Sequence, residues 1–201
     1  PAPTTVLPVH NAGQTVVPRL RGIVELSKTR PLEVLVVYDF DEDTTVPVVR
    51  RLQAEIPELQ PHRNTIGRGV LNAIKSGLGA ARAPFVQVTM GDGSDDAGDI
   101  DAMYALARGG ADVVAGSRYM RGGHQLGGPL LKRTMSRTAG ISLHWLAGIP
   151  VHDATSNFRL YSKRLLEKVT IESTGGFELV IALTLKAHTL GLRDAGVPST
   201  G

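Results

Sequence analysis

Over the first 116 residues, short runs of β-branched and apolar residues alternate with stretches whose apolar residues recur at helical spacing, and this alternation narrows the fold more than any other feature. Thr4 to Leu7 reads as a strand, and Val16, Val17, Leu20, Ile23 and Val24 then fall on one helical stripe. Glu33 to Tyr38 is an apolar run of the kind buried on both faces of a sheet. It is followed, after the polar turn Asp41 to Thr45, by Val46, Val49, Leu52 and Ile56 at helical spacing. A loop is expected through Pro57 and Pro61. Beyond it come a helix carrying Val70, Ala73, Ile74, Gly77 and Leu78, a strand from Phe85 to Met90, a helix carrying Ile100, Met103, Tyr104 and Ala107, and a strand from Ala111 to Gly116. Such a succession specifies an α/β fold with a mainly parallel sheet and helices on both faces. Sheets of this kind bind ligands at the carboxyl ends of their strands.

The pattern then changes. Gly122, Gly123, Gly127, Gly128 and Pro129 form a loop, readable as a lid or as a plain connector, and a helix is expected from about Leu130 to Ala147. After Val151 the expected elements are a polar turn, a short strand Phe158 to Tyr161, a short helix near Leu165, a helix from about Phe177 to Leu190, and the opening of a further strand at Gly196. Hydrophobic residues, 42% of the chain, are spread along its length with no run of 18 or more, so one domain over residues 1–201 and no bilayer-crossing segment are expected. No secretion signal is visible. The absence of cysteine rules out disulfides and thiolate metal sites, fits a reducing compartment, and makes the cytoplasm the expected location. A formal charge of +3 and only 4% aromatic residues argue against a nucleic-acid partner.

Acidic residues follow two of the expected strands: Asp39 and Asp41 after Tyr38, and Asp92, Asp95 and Asp96 after Met90. Asp92 suits a hard divalent cation, which needs only one or two carboxylates when a nucleotide diphosphate supplies further oxygens. Asp95 and Asp96 are read as caps of the helix beginning near Ala97. An EF-hand is excluded, because counting from Asp92 puts Ala97 where the glycine belongs and Met103 where the bidentate glutamate belongs. Gly67-Arg68-Gly69 precedes a helix and serves either as a phosphate cradle or as a tight turn. From Val113 to His152 there is no Asp or Glu, while Arg118, Arg121, Lys132, Arg133 and Arg137 all occur; the segment is either an anion-facing surface or a solvated face neutralised from elsewhere. Zinc hydrolysis and serine acyl transfer lack their motifs, since there is no His-Glu-x-x-His and no Gly-x-Ser-x-Gly.

Taken together, several blocks give the chain a resemblance. They are Leu7-Pro8-Val9-His10-Asn11, Glu33 to Asp39, Asn64 to Asn72, Met90 to Asp96, Gly116-Ser117-Arg118-Tyr119, Ser136-Arg137 and Asp153 to Tyr161. In order and spacing the chain resembles family-2 glycosyltransferases of GT-A (Rossmann-like) fold, within them the dolichyl- and polyprenyl-phosphate mannosyl- and glucosyltransferases. The resemblance implies a nucleotide-binding half over about residues 1–116 and an acceptor-side half over about 117–201. It implies that Pro8, His10, Asn11, Asp39 and Arg68 line the nucleotide of a GDP- or UDP-hexose and that Asp92 holds Mg²⁺ or Mn²⁺ on its diphosphate. Arg118, Arg133, Arg137, Asn157 and Arg159 would then face the phosphate of a polyprenyl phosphate acceptor, and Asp92, Arg118, Arg137 and Asp153 would serve catalysis. Peripheral contact with the membrane's inner face follows from such an acceptor.

The chain also departs from that pattern. His10 and Ala12 flank Asn11 where the family commonly has Tyr and Glu, Tyr38-Asp39-Phe40-Asp41 stands for Asp-Asp-Gly-Ser, and the usual Asp-x-Asp reads Met90-Gly91-Asp92. A thioether is a poor ligand for a hard cation, so Met90 favours a second reading, a catalytically silent module that binds a sugar nucleotide or lipid phosphate. A sugar nucleotidyltransferase is the third, and it lacks a first loop with closely following cations, because the first after Asn11 is Arg19.

Overall fold

The computed structural model describes residues 3–30, 32–90, 98–117, 158–169 and 176–198. Strand β1 (Thr4–Pro8) is buried throughout, as its apolar and β-branched residues require, and the chain turns through a 3₁₀ segment (Gly13–Val16) into α1 (Val17–Leu26). Pro18 sits in the first turn of α1, where its missing N–H costs no helical hydrogen bond. There follow β2 (Glu33–Tyr38), α2 (Thr45–Leu52), β3 (Leu59–Arg63), α3 (Val70–Ala80), β4 (Phe85–Val88), α4 (Asp99–Arg108) and β5 (Val113–Ser117). The described chain then resumes with β6 (Arg159–Ser162), α5 (Lys163–Lys168), α6 (Gly176–Thr189) and β7 (Asp194–Pro198).

The seven strands form one sheet in the order β3-β2-β1-β4-β6-β5-β7. Pairing is parallel from β3 through β4 and between β5 and β7, while β6 runs antiparallel to both β4 and β5. Successive side chains on a strand point to opposite faces, so each strand feeds two cores. Leu7, Val34, Val36, Val114 and Leu160 pack with α1, α2 and α4 on one face. Val6, Leu35, Val37, Val113 and Tyr161 pack with α3, α5 and α6 on the other. The α/β sheet with helices on both faces is therefore as expected.

Five details differ from the sequence reading. Residues 59–63, expected as loop, form β3; Pro61 is tolerated because, among the described residues, β3 is the edge of the sheet and pairs on one side only, with β2. Strand β4 ends at Val88 and helix α2 at Leu52, each short of the expected limit. Helix α4 begins at Asp99 with Asp99 and Asp101 in its first turn, and Asp95 and Asp96 lie outside the described residues. The final strand begins at Asp194, two residues before the expected Gly196, because its register with β5 starts at Val113 opposite Asp194.

Carboxylates tie the elements together. Asp112, just before β5, accepts from Ser162 Oγ (2.6 Å), from Arg164 Nη2 (2.6 Å) and Nε (2.5 Å), and from the backbone N–H of Arg193. Burial pushes its pKa up, but these hydrogen bonds and the guanidinium charge outweigh burial and hold it below the usual carboxylate value. Asp101 of α4 likewise accepts from the N–H groups of Lys28 and Thr29 and from the Thr29 hydroxyl, clamping the α1–β2 loop. Among the described residues no helix is long and apolar enough to cross a membrane.

Candidate functional site

At the carboxyl ends of β1 and β2 the sheet opens into a cavity of about 690 Å³. Its wall combines apolar groups (Val9, Ala12, Val16, Val70, Ala73, Met90) with Pro8, His10, Asp39, Arg68 and Gly69. Four of the residues expected at the nucleotide, namely Pro8, His10, Asp39 and Arg68, are thus brought together although 60 residues of sequence separate the first from the last.

Three loops build the site. The parallel ladder continues past the strand ends through Val9 N–H to Val37 O (2.9 Å) and Asn64 N–H to Tyr38 O (2.8 Å), so the loops after β1, β2 and β3 leave the sheet side by side. Asp43, 1% exposed, accepts from the Asn11 N–H (2.9 Å) and the Thr45 N–H (2.8 Å), fastening the β1 loop to the start of α2. Thr45 Oγ1 accepts from the N–H of Ala12 at 2.9 Å. Asn11, with φ +46°, turns its side-chain oxygen to accept from the Thr44 N–H (3.2 Å). The structure therefore places Asn11 in the loop clasp and not on the cavity wall.

Asp39 holds the start of α3. Its Oδ1 accepts from Asn64 Nδ2 (2.8 Å) and its Oδ2 from the Gly69 N–H (2.8 Å). Gly69 is the N-cap of α3 at φ +113°, a conformation that glycine reaches without steric cost, and the carboxylate at this helix end complements the helix dipole. Asn64 also donates to Gly67 O, so both peptides flanking Arg68 are anchored while its side chain reaches the rim. There the Arg68 guanidinium carbon lies 5.2 Å from the centre of the Phe40 ring, and His10 meets the same ring edge-on at 5.4 Å and 74°.

The cavity floor reaches β4. Thr89, fully buried, donates its N–H to Val6 O and accepts from the Arg19 guanidinium of α1, and Met90 follows on the cavity wall. Arg159 does not line this cavity. It is 1% exposed on β6 and donates from Nη1 to Thr184 Oγ1 of α6 (3.2 Å), so its place is interior. Asp92, Arg118, Arg133, Arg137, Asp153 and Asn157 lie outside the described residues. Among the described residues, no three His, Cys, Asp or Glu side chains are grouped as a metal site.

Sequence reasoning missed two parts of this site. Asp43 looked like one more acid in a polar turn, and the signal that distinguishes it is its spacing before a Thr45 that itself caps a loop. Phe40 registered only as a departure from a glycine, and its contacts with His10 and Arg68 join loops far apart in sequence, which residue type and spacing do not reveal.

Residues 4–170 match the model of the family described as "Glycosyl transferase family 2". A polyprenol monophosphomannose synthase of Mycolicibacterium smegmatis is 27% identical over 202 residues, covering 97% of this chain and 75% of that protein. An undecaprenyl-phosphate mannosyltransferase of Micrococcus luteus is 27% identical over 204 residues, covering 98% and 82%. In structure, a glucosyl-3-phosphoglycerate synthase of Mycobacterium tuberculosis, solved with Mn²⁺, UDP and glucosyl-3-phosphoglycerate, superposes with a TM-score of 0.72 at 16% identity, over 99% of this chain and 71% of that one. The GT-A fold is shared.

Proposed function

Because the chain belongs to glycosyl transferase family 2, we propose that it moves a hexosyl group, mannose or glucose, from a nucleoside-diphosphate sugar to polyprenyl phosphate, with inversion at the anomeric carbon. The observation that carries this reading is the cavity itself: Pro8, His10, Asp39 and Arg68 converge at the strand ends of a chain whose full-length relatives are named for mannosyl transfer to polyprenyl phosphates. The donor nucleotide occupies this cavity, and Arg68 faces its diphosphate.

A divalent cation, Mg²⁺ or Mn²⁺, belongs to this reading. Asp39, the one acid on the described wall, already accepts a hydrogen bond on each oxygen, and Met90 offers only a thioether. With neither suited to hold a hard cation, that role would fall to Asp92 with oxygens supplied by the donor, and not to a cage built by the protein. Held by Asp92, such an ion would supply charge neutralisation for the diphosphate leaving group.

The remaining work falls to side chains of the acceptor half, residues 117–201. To Arg118, Arg133 and Arg137, with Asn157, we assign the acceptor phosphate, and to Asp153 a part in catalysis. A phosphate monoester with a second pKa of about 6 is already a dianion at neutral pH, so it needs orientation more than a general base. The acceptor places the protein at the cytoplasmic face of the membrane as a peripheral partner. Met90 on the wall is the observation that favours the other reading, a sugar-nucleotide binding module without turnover.

Incubation with radiolabelled GDP- and UDP-hexoses, polyprenyl phosphate and Mn²⁺ tests the proposal. Lipid-extractable label whose anomeric configuration is opposite to the donor's is expected. Label with retained configuration refutes the direct displacement, and donor binding without transfer favours the silent module.

A further inference from the structure

Arg68 is exposed, and an exposed arginine on a glycine-flanked loop is a poorly organised cation: its side chain carries about 2 kcal/mol of rotamer entropy that an anion must immobilise on binding. In this chain three features restrict that freedom before any ligand arrives. The backbone is fixed on both sides, through Asn64 Nδ2 to Gly67 O and the Gly69 N–H to Asp39. The guanidinium lies over the Phe40 ring at 5.2 Å. That ring is in turn braced edge-on by His10 at 5.4 Å. His10 and Arg68 line the cavity, and half-buried Phe40 contacts both without being part of its wall.

We propose that Phe40 is a positioning residue: by stacking under Arg68 it preorganises the guanidinium as the phosphate-facing cation of the cavity, and so sets affinity for the diphosphate part of the donor rather than for its base. This rests on the reading of the cavity as a sugar-nucleotide site. An aromatic face holds a cation through the ring quadrupole, and a cation already held in place loses less entropy when an anion pairs with it. Phe40 therefore acts only through Arg68, and the two side chains behave as one unit.

A double-mutant cycle measured by calorimetry on the intact chain tests this, with GDP, UDP, inorganic pyrophosphate and guanosine as probes in the presence of Mn²⁺. Replacing Phe40→Leu keeps apolar bulk and removes the ring; the expected effect is a loss of about two- to fivefold for GDP, UDP and pyrophosphate alike, the scale of an exposed cation–π contact. Guanosine binding stays within experimental error. Arg68→Ala gives a larger loss on the same three probes, Phe40→Leu adds nothing once Arg68 is gone, and Phe40→Tyr restores parental affinity. Thermal midpoints of all variants stay near the parent's, which separates positioning from misfolding.

Two outcomes overturn the inference while leaving the nucleotide site standing. One is a Phe40→Leu protein that loses affinity for guanosine and GDP but not for pyrophosphate, which makes the ring a base platform. The other is full additivity of the two substitutions. A parent protein that binds neither nucleotide nor pyrophosphate overturns this inference together with the functional reading on which it rests.

Discussion

Two glycines of α3, two positions apart, are expected to respond to the same substitution with opposite signs. A Cβ added at Gly77 would sit 2.4 Å from Val6 Cγ1 and 3.1 Å from Val37 Cγ2, whereas one at Gly79 meets nothing within 4 Å. Val6 and Val37 are fully buried on β1 and β2, and β-branched side chains have few rotamers into which to retreat. Restoring an ordinary carbon–carbon separation of about 3.5 Å requires α3 to withdraw by about 1 Å. Overpacking costs about 1–3 kcal/mol, and a clash that forces the helix back from β-branched side chains with few spare rotamers belongs in the upper half of that range, about 2–3 kcal/mol. Replacing glycine inside a helix returns about 1 kcal/mol, so Gly77→Ala is left with a net loss on the order of 1–2 kcal/mol. At exposed Gly79 only the helical gain remains, about 0.5–1 kcal/mol. For a chain of this size each kcal/mol moves the melting midpoint by about 2–4 °C, so Gly77→Ala should melt about 2–8 °C below the parent and Gly79→Ala about 1–4 °C above it. Thermal melts and guanidinium titrations of the three proteins decide the matter. A Gly77→Ala protein as stable as the parent, or a Gly79→Ala protein that is destabilised, refutes the packing of α3 on β1. Because Gly69, Val70 and Ala73 form the cavity wall, the same withdrawal should weaken nucleotide binding by Gly77→Ala and leave Gly79→Ala unaffected.

Other perturbations follow from the same contacts. Asp112 has its carboxyl held below its unfolded value, so its stabilising contribution is present above about pH 4 and is lost as pH falls through the lower, folded value; Asp112→Ala should cost about 1–3 kcal/mol near neutrality and flatten the acid limb of a pH-stability profile, and an unchanged limb contradicts the assignment. Asp43→Ala leaves the Asn11 and Thr45 N–H groups without their acceptor, and should cost about 1–3 kcal/mol in chemical denaturation while loosening the loop that carries His10. A Cβ at Gly116 would stand 2.3 Å from Phe158 Cδ1, so Gly116→Ala should destabilise the β5–β6 pair by about 1–3 kcal/mol, and the same substitution should cost less when introduced into a Phe158→Ala protein, where the ring it meets is gone.

Much of the fold was legible because it is written in local periodicity. The strand-then-helix pattern located β1, β2, β4 and β5 and the helices between them, and Gly67-Arg68-Gly69 marked the start of α3. What stayed illegible depends on neighbours distant in sequence. Pro61 looks like a strand breaker until it is known that β3 is an edge, and the reversed direction of β6 is set by its partners β4 and β5 and not by Arg159 to Ser162 themselves. At the site, position after a strand singled out Asp39, the glycine-flanked turn before a helix singled out Arg68, and Pro8 and His10 came only with the family resemblance. None of these signals revealed that Asn11 spends its side chain on Thr44, that Asp39 spends both oxygens on Asn64 and Gly69, or that Arg159 is drawn into the interior by a strand buried at every position. Residue type and spacing show which groups are near a strand end, whereas hydrogen-bond partners show which of them remain available to a ligand.

The most direct test compares initial rates of lipid-extractable label formation from radiolabelled nucleoside-diphosphate hexose and polyprenyl phosphate for the parent chain, Arg68→Ala and Asp92→Ala. Transfer by the parent, a reduced rate with raised donor KM in Arg68→Ala and near-complete loss in Asp92→Ala are the predicted results. Undiminished transfer by both variants would contradict the assignment of the cavity at the ends of β1 and β2 as the donor site.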